Sequence, residues 1–454
     1  MNIKKIMTTL LASVVTMGSL AFTEEVPAQT FKPLIADQIV AASAILIDQE
    51  SGQILFEKDA HTQRYPASTT KVMTAILVLE DMDLDKTITV DDKSPFTEGS
   101  KIALDLKEQM TIEQLLYATM VESANDAAAA LAVAHSGSVE AFALRMNEKA
   151  KEIGALNTNF TNPHGLTEKE HLSTAYDLAL IGRYAMTFPK FREIVSTVRY
   201  QIPPTNTKDE TRFITTSNRF LYGTGSKNKI EYKGKLRDIK TDYITGMKTG
   251  YTDAARQTFI VSAERDGKKL IAVILKSEGK ALYTDTLTMI DHGLDMYDRY
   301  TVVNGDDLLE TIQFDDLKST KVEAVAKHTV TGLLPIGTSP TSLERNMTIL
   351  PDIALPVKAG QVVGTLEFVL NGKSMGQTDL IAPADASDQL LLTSETISLI
   401  KEPGVWYEEI PWLNLFIKLL ATLFLWRFAM TLFHAYRLRS IRREKARKLS
   451  EQES

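Results

Sequence analysis

The sequence predicts an α+β protein: an antiparallel sheet flanked by helices and carrying a helical insert, then a small β-rich domain and a C-terminal membrane helix. Three observations carry this expectation. Strand-like runs at 243–247, 258–263 and 270–275 follow one another, and Asp266-Gly267 between the last two is a strong hairpin signal. Apolar runs too long for strands, Val72–Leu79 and the alanine-rich 126–134, lie upstream of them. Beyond residue 301 short β-rich runs alternate with turn signals until an apolar stretch at 410–436.

At the N-terminus, Lys4 and Lys5 precede an apolar stretch from Ile6 to Ala21, followed by Glu24, Glu25 and the small-residue site Val26-Pro27-Ala28. This pattern reads as a secretory signal peptide over 1–28, outside the fold proper. The domain that carries chemistry is expected over 29–305, with its first strand at Ile45-Leu46-Ile47-Asp48.

Ser68-Thr69-Thr70-Lys71 follows Pro66-Ala67 and opens the run Val72 to Leu79. Proline is favoured in a first helical turn, and a run apolar on all sides is a helix buried all round. Residues three apart share a helix face. The Lys71 amine is therefore expected beside the Ser68 hydroxyl, where a lysine stripped of its proton by burial can serve as base to a serine nucleophile.

Thr111-Ile112-Glu113-Gln114 has the form of a capping box and opens a helix through Leu115, Leu116 and Met120. The alanine-rich run that follows ends near Ser136-Gly137, so Ser123-Ala124-Asn125 is expected at the join, presenting a hydroxyl and an amide. Lys248-Thr249-Gly250 continues the strand begun at Tyr243. A cation, a hydroxyl and a glycine in succession can bind a carboxylate while the backbone lies against a substrate. A terminal helix, Thr284 to Tyr300, is expected on one face of the sheet, and the helical insert on the other.

From 306 to 405 a β-rich domain is expected, with Asn371-Gly372 as a hairpin turn between apolar strands. The string Gly372-Lys373-Ser374-Met375-Gly376 matches a nucleophile-elbow pattern, but no helix follows it, so it reads as chance. His164, in Asn162-Pro163-His164-Gly165, reads as a loop-holding residue. Residues 410–436 carry only Lys418 and Arg427 before His434, on opposite helix faces, which fits a spanning helix better than an in-plane one. The Arg- and Lys-rich tail 437–454 then marks the cytoplasmic side.

Composition narrows the classes. The chain has 454 residues, no cysteine and seven scattered histidines, which excludes disulfides, thiol catalysis and zinc–thiolate sites. There is no P-loop and no His-Glu-x-x-His. Seven of the basic residues sit in 434–454, and the acidic remainder gives no support for nucleic-acid binding.

Ser-x-x-Lys, Ser-x-Asn and Lys-Thr-Gly in this order resemble the signature of penicillin-binding proteins and serine β-lactamases. With Asn162 to Leu166 and Gly246 to Asp253, the chain resembles low-molecular-mass penicillin-binding proteins that act as D-alanyl-D-alanine carboxypeptidases. The resemblance implies a DD-peptidase/β-lactamase-like catalytic domain and no cofactor or metal. The expected partners are peptidoglycan stem peptides and β-lactam antibiotics, plus membrane lipid through the C-terminal helix. It assigns Ser68 as acyl-ester nucleophile, Lys71 as proton acceptor, Ser123 as proton shuttle, and Asn125 as a holder of Lys71 and a substrate amide. Lys248, Thr249, Gly250 and Tyr251 would bind substrate, with the backbone N–H groups of Ser68 and Tyr251 as oxyanion donors. After Thr252-Asp253 the chain departs from the family with Ala254-Ala255-Arg256, and the arginine expected upstream of the Lys-Thr-Gly strand is shifted. Arg219 and Arg256 are both candidates for that role. Two alternatives remain at this level. A β-lactamase would want a Glu-x-x-Leu-Asn loop, which Glu152 and Glu170 do not provide, and a non-catalytic penicillin sensor would not need the intact motifs.

Overall fold

The computed structural model of the chain describes residues 30–314, 320–386, 416, 418–434 and 437. The expected signal peptide, and most of the expected cytoplasmic tail, lie outside these residues.

The first strands, β1 (Ser43–Asp48) and β2 (Ile54–Lys58), form a hairpin. A 3₁₀ turn over Ala67–Thr70 leads into α1 (Lys71–Asp81). Then come β3 (Thr87–Thr89) and β4 (Gln109–Thr111), which pair, α2 (Ile112–Tyr117), a π turn (Ala118–Glu122), α3 (Asn125–Ser136) and α4 (Val139–Ile153). After α5 (Ala175–Ala185) and α6 (Pro189–Ser196), β5 (Arg199–Ile202) pairs with β6 (Arg212–Thr215), and β7 (Lys229–Tyr232) with β8 (Lys235–Asp238). The unit closes with β9 (Ile244–Thr252), β10 (Arg256–Arg265), β11 (Lys268–Ser277) and α7 (Ala281–Asp295).

The central sheet has the order β2-β1-β11-β10-β9, antiparallel throughout, with β9 at its edge. Side chains alternate across it, as a strand's period of two requires. Ile45, Ile47, Ile271 and Val273 face one core, with α1 and α5. Leu46, Ala272, Ile274 and Val261 face the other, under Leu287, Met289, Ile290 and Leu294 of α7. The layering expected from sequence is thus present. On α1, Val72, Met73, Ile76, Leu77 and Val78 are all fully buried. Each is worth about 1.5–3 kcal/mol, so the helix that starts at Lys71, directly after the turn bearing Ser68, is firmly anchored in the core.

Local signals hold where they were strong. Thr111 and Gln114 form a reciprocal capping box, Gly137 closes α3 in the left-handed region, and Asp266-Gly267 turns with φ of 52° and 73°. One boundary differs. The terminal helix ends at Asp295, and Tyr297 to Val303 form β12, which pairs with β15 (Val330–Pro335). The chain thus enters its β-rich part ahead of residue 306, because the Tyr297 ring is buried there in a strand setting. Between them lie β13 (Leu308–Gln313) and β14 (Lys321–Ala326), and after β15 come β16 (Glu344–Ile349), β17 (Val362–Leu370) and β18 (Lys373–Ile381). The second sheet runs β13-β14-β18-β17-β16 around a core of Val322, Val363, Leu366, Phe368 and Leu380. Asn371-Gly372 forms its expected hairpin turn and Ser374 lies on β18, so the Gly-x-Ser-x-Gly string is not a nucleophile elbow.

Residues 418–434 are helical. Among the described residues no single helix is long and apolar enough to cross a membrane, and residues 410–415, 417, 435 and 436 of the expected anchor lie outside them.

Candidate active site

Ser68 does not sit on an α-helix but on the 3₁₀ turn that precedes α1. Side chains three apart eclipse in a 3₁₀ turn, and Lys71 Nζ lies 3.0 Å from Ser68 Oγ. The turn is held from several sides. Thr69 Oγ1 and Thr258 Oγ1 of β10 both donate to the Pro66 carbonyl, at 2.7 and 2.9 Å. Ala67, just before the serine, has φ of +49°, a conformation uncommon for a residue with a Cβ. Two glycines permit neighbours to press onto it. A Cβ on Gly165 would stand 1.9 Å from the Ala67 carbonyl oxygen, and one on Gly250 would stand 2.8 Å from the Ser68 nitrogen. The edge strand β9 therefore lies flush against the serine's amide.

Lys71 is fully buried and makes three contacts: Ser68 Oγ, Asn125 Oδ1 at 2.6 Å and the His164 carbonyl at 2.7 Å. Burial, and then the Lys248 cation, hold its amine well below the usual lysine range, while Asp126 favours the charged form. A neutral amine has two N–H donors and one lone pair. The two carbonyl oxygens can only accept, so they take both N–H groups and leave the lone pair for the Ser68 hydroxyl. The orientation of Asn125 is fixed because its Nδ2 donates to the Glu98 carbonyl at 2.7 Å.

The His164 carbonyl is delivered by the loop that the sequence reading assigned to structure. Asn162 Oδ1 accepts from the Gly165 N–H, and His164 Nδ1 accepts from the Leu166 N–H. Burial pushes His164 down to about 3, and it is neutral at working pH. His171 binds this loop to the catalytic turn: its Nδ1 accepts from the Thr161 N–H at 3.0 Å, which makes Nε2 the donor to Thr70 Oγ1 at 2.8 Å. It too is neutral, pushed down to about 4 by burial.

Ser123 caps the π turn in the left-handed region, with φ of 67°, and Asn125 opens α3 directly after it. On β9, Lys248 is 1% exposed and burial brings it down to about 7, opposed by Glu122. Thr249 Oγ1 lies 2.6 Å from Ser217 Oγ. Ser68, Ser123, Thr249, Gly250 and Tyr251 line one cleft of about 590 Å3, with Lys71, Asn125 and Lys248 buried behind it. Tyr251 is 57% exposed at its mouth. Of the two candidate arginines, Arg219 lines the cleft, whereas Arg256 pairs with Glu278 at 3.2 Å outside the lining set. A serine, a buried amine 3.0 Å from its hydroxyl and an edge strand carrying a second buried lysine converge here.

A sequence profile of the D-alanyl-D-alanine carboxypeptidase family matches residues 28–279, and one of the penicillin-binding protein 5 C-terminal domain matches 297–387. The chain belongs to the D-alanyl-D-alanine carboxypeptidase family. It is 30% identical to the carboxypeptidase DacF of Bacillus subtilis over 76% of this chain and 85% of the relative. It is likewise 30% identical to DacC of Escherichia coli over 76% and 84%. Among solved structures, penicillin-binding protein 5 of Haemophilus influenzae superposes with a TM-score of 0.65 at 25% identity, covering 78% of this chain and all of that one. The family's activity, serine-type cleavage at a D-alanyl-D-alanine terminus, is therefore this chain's.

All eight site residues expected of a carboxypeptidase from the sequence come together at this cleft. Glu152, the nearest approach to a β-lactamase base, instead pairs with Arg145 and Lys149. Sequence reasoning missed the His164 carbonyl as a ligand of Lys71, His171 behind the turn, and Ser100, Glu122, Ser217 and Gln257 on the cleft wall. A main-chain carbonyl carries no residue signature. Ser217 and Glu122 could have been sought only as neighbours of motifs already found.

Proposed function

We propose that the chain removes the terminal D-alanine from peptidoglycan stem pentapeptides through an acyl-enzyme on Ser68. The observation that carries this reading is the set of three contacts around Lys71 Nζ, which leaves its lone pair facing Ser68 Oγ. Lys71 takes the hydroxyl proton as Ser68 Oγ attacks the carbonyl carbon of the penultimate D-alanine. The N–H groups of Ser68 and Tyr251 hold the oxyanion, and donors of this kind are worth roughly 2.7–4 kcal/mol each. The proton passes through Ser123 to the departing amine nitrogen, the C–N bond breaks and D-alanine leaves. Water then attacks the ester, giving its proton to the Lys71–Ser123 pair, and Ser68 is released. Lys248 and Thr249 hold the substrate's terminal carboxylate, and Asn125 a substrate amide. A β-lactam follows the first half of this course, but its leaving nitrogen stays tethered, so a lasting adduct on Ser68 is expected.

The sequence also supports a placement at the cell membrane. Residues 1–28 act as a signal peptide, 410–436 span the bilayer once, the catalytic and β-rich domains are extracytoplasmic, and 437–454 are cytoplasmic. Mass spectrometry of the ectodomain with benzylpenicillin, and then with a D-alanyl-D-alanine pentapeptide, tests the chemistry. A stable adduct on Ser68 and released D-alanine are expected. Rapid turnover of the drug, or neither adduct nor product, would overturn it.

A further inference from the structure

Two buried lysines share this site, and the mechanism asks opposite things of them. Lys71 must be neutral to take a proton, and Lys248 must be charged to hold a carboxylate. Each sits at 1% exposure or less, so burial alone disfavours the charge on both. Something beyond burial must decide which keeps the proton.

Glu122 is the sole acid among the described residues lining the cleft, and it immediately precedes Ser123. It is held in place by its own contact: Oε2 accepts from the Thr215 N–H at 3.1 Å. Thr215 ends β6, and the segment after it carries Ser217, whose hydroxyl meets Thr249 beside Lys248. The Glu122 carboxylate thus stands on the wall next to β9. Its charge acts on Lys248, whereas the acid acting on Lys71 is Asp126 on α3. Asp126 accepts from the N–H groups of Ile102, Leu104 and Ala127, and burial still pushes its carboxyl above the usual range. The other titratable groups around the pair are neutral His164 and His171 on the loop behind α1. Arg219, Lys280, Tyr251 and Tyr283 also line the cleft, Tyr251 on β9 three residues beyond Lys248.

We propose that Glu122 is a positioning residue that allocates the proton between the two lysines, keeping Lys248 the cation so that Lys71 carries the free electron pair. The inference rests on the roles given above to Ser68, Lys71 and Lys248. A charged Lys248 repels a second cation on Lys71, so one carboxylate serves both requirements.

The test is Glu122→Gln, which keeps the acceptor for the Thr215 N–H and removes only the charge. The kcat/KM profile against pH reports the free enzyme's groups. For a peptide ending in free D-alanyl-D-alanine, the alkaline limb should move down by about one pH unit, the scale of a partly screened charge pair. The profile for the corresponding peptide amide should keep its alkaline limb, and Glu122→Asp should restore the limb for the free acid. An unchanged profile overturns the proposal, as does a uniform loss at every pH, which would mean that Glu122 merely braces Thr215. Wild-type protein that forms no penicillin adduct would overturn the underlying reading of the site itself, and this inference with it.

Discussion

Lys71 Nζ stands 3.0 Å from Ser68 Oγ and closer still to two oxygens that can only accept, Asn125 Oδ1 and the His164 carbonyl. This relationship points the amine's lone pair at the serine hydroxyl through geometry rather than through charge. Replacing Lys71 by arginine puts a permanent cation there and leaves no group that can lose its proton at working pH. Acylation of Lys71→Arg by benzylpenicillin should fall by roughly 10²–10⁴-fold, the usual contribution of a positioned base. Stopped-flow acylation alongside near-ultraviolet circular dichroism checks this, and near-normal acylation in a folded variant would move the base elsewhere.

Lys248 couples function to stability with opposite signs. Lys248→Gln should lower kcat/KM for a free-acid peptide by roughly 10–100-fold, as loss of a hydrogen bond to a charged group costs about 1.5–3 kcal/mol. The peptide amide should be much less affected. Equal losses on both would assign Lys248 to proton transfer instead.

The same lysine is held near 7 in the fold but near 10.4 in an unfolded chain. Between those values the unfolded chain binds a proton that the folded one does not, so this group's contribution to stability rises with pH and its penalty is complete below about pH 7. Lys248→Met should therefore raise Tm at pH 7 by a few degrees, roughly the effect of 1 kcal/mol. The gain should shrink towards pH 10. A Tm gain that is the same at both pH values would show that packing, not charge, is responsible.

Gly165 and Gly250 should respond differently to alanine. At Gly165 the added Cβ meets main chain at 1.9 Å, and φ is +89°. Neither fault can relax locally, so Gly165→Ala should lose both stability and acylation. At Gly250 the Cβ would meet Thr258 Oγ1 at 2.4 Å and the Ser68 nitrogen at 2.8 Å. Gly250→Ala should push β9 off the serine and lower the acylation rate more than Tm. Calorimetry and penicillin acylation on both variants separate these outcomes.

The charge cluster from Arg437 to Lys448 bears on topology. With the tail cytoplasmic, protease added to wall-stripped cells should release the ectodomain and spare a tag after Ser454. Digestion of the tag from outside would favour an in-plane helix.

Ser68, Lys71, Ser123, Asn125 and Lys248 to Tyr251 were legible in the sequence because each motif also states its local backbone. Pro66 and the apolar run after Lys71 mark a buried helix start, Gly137 a helix end, and Asp266-Gly267 a hairpin that places β9, β10 and β11 in order. The 3₁₀ rather than α geometry under Ser68 was not legible, since both place residues three apart together.

Tertiary structure alone decided the rest. The third ligand of Lys71 is a main-chain carbonyl from a loop far along the chain, and any residue offers a carbonyl. Arg219 lines the cleft whereas Arg256, at the start of β10, is taken by Glu278 just past the end of β11, a neighbour that only strand register supplies. The proton state of each lysine depends on burial and on charges from other elements, so no residue type announces it. The sequence by itself determined which groups could react. The fold decided which of them is neutral, because that depends on distance and dielectric and not on order along the chain.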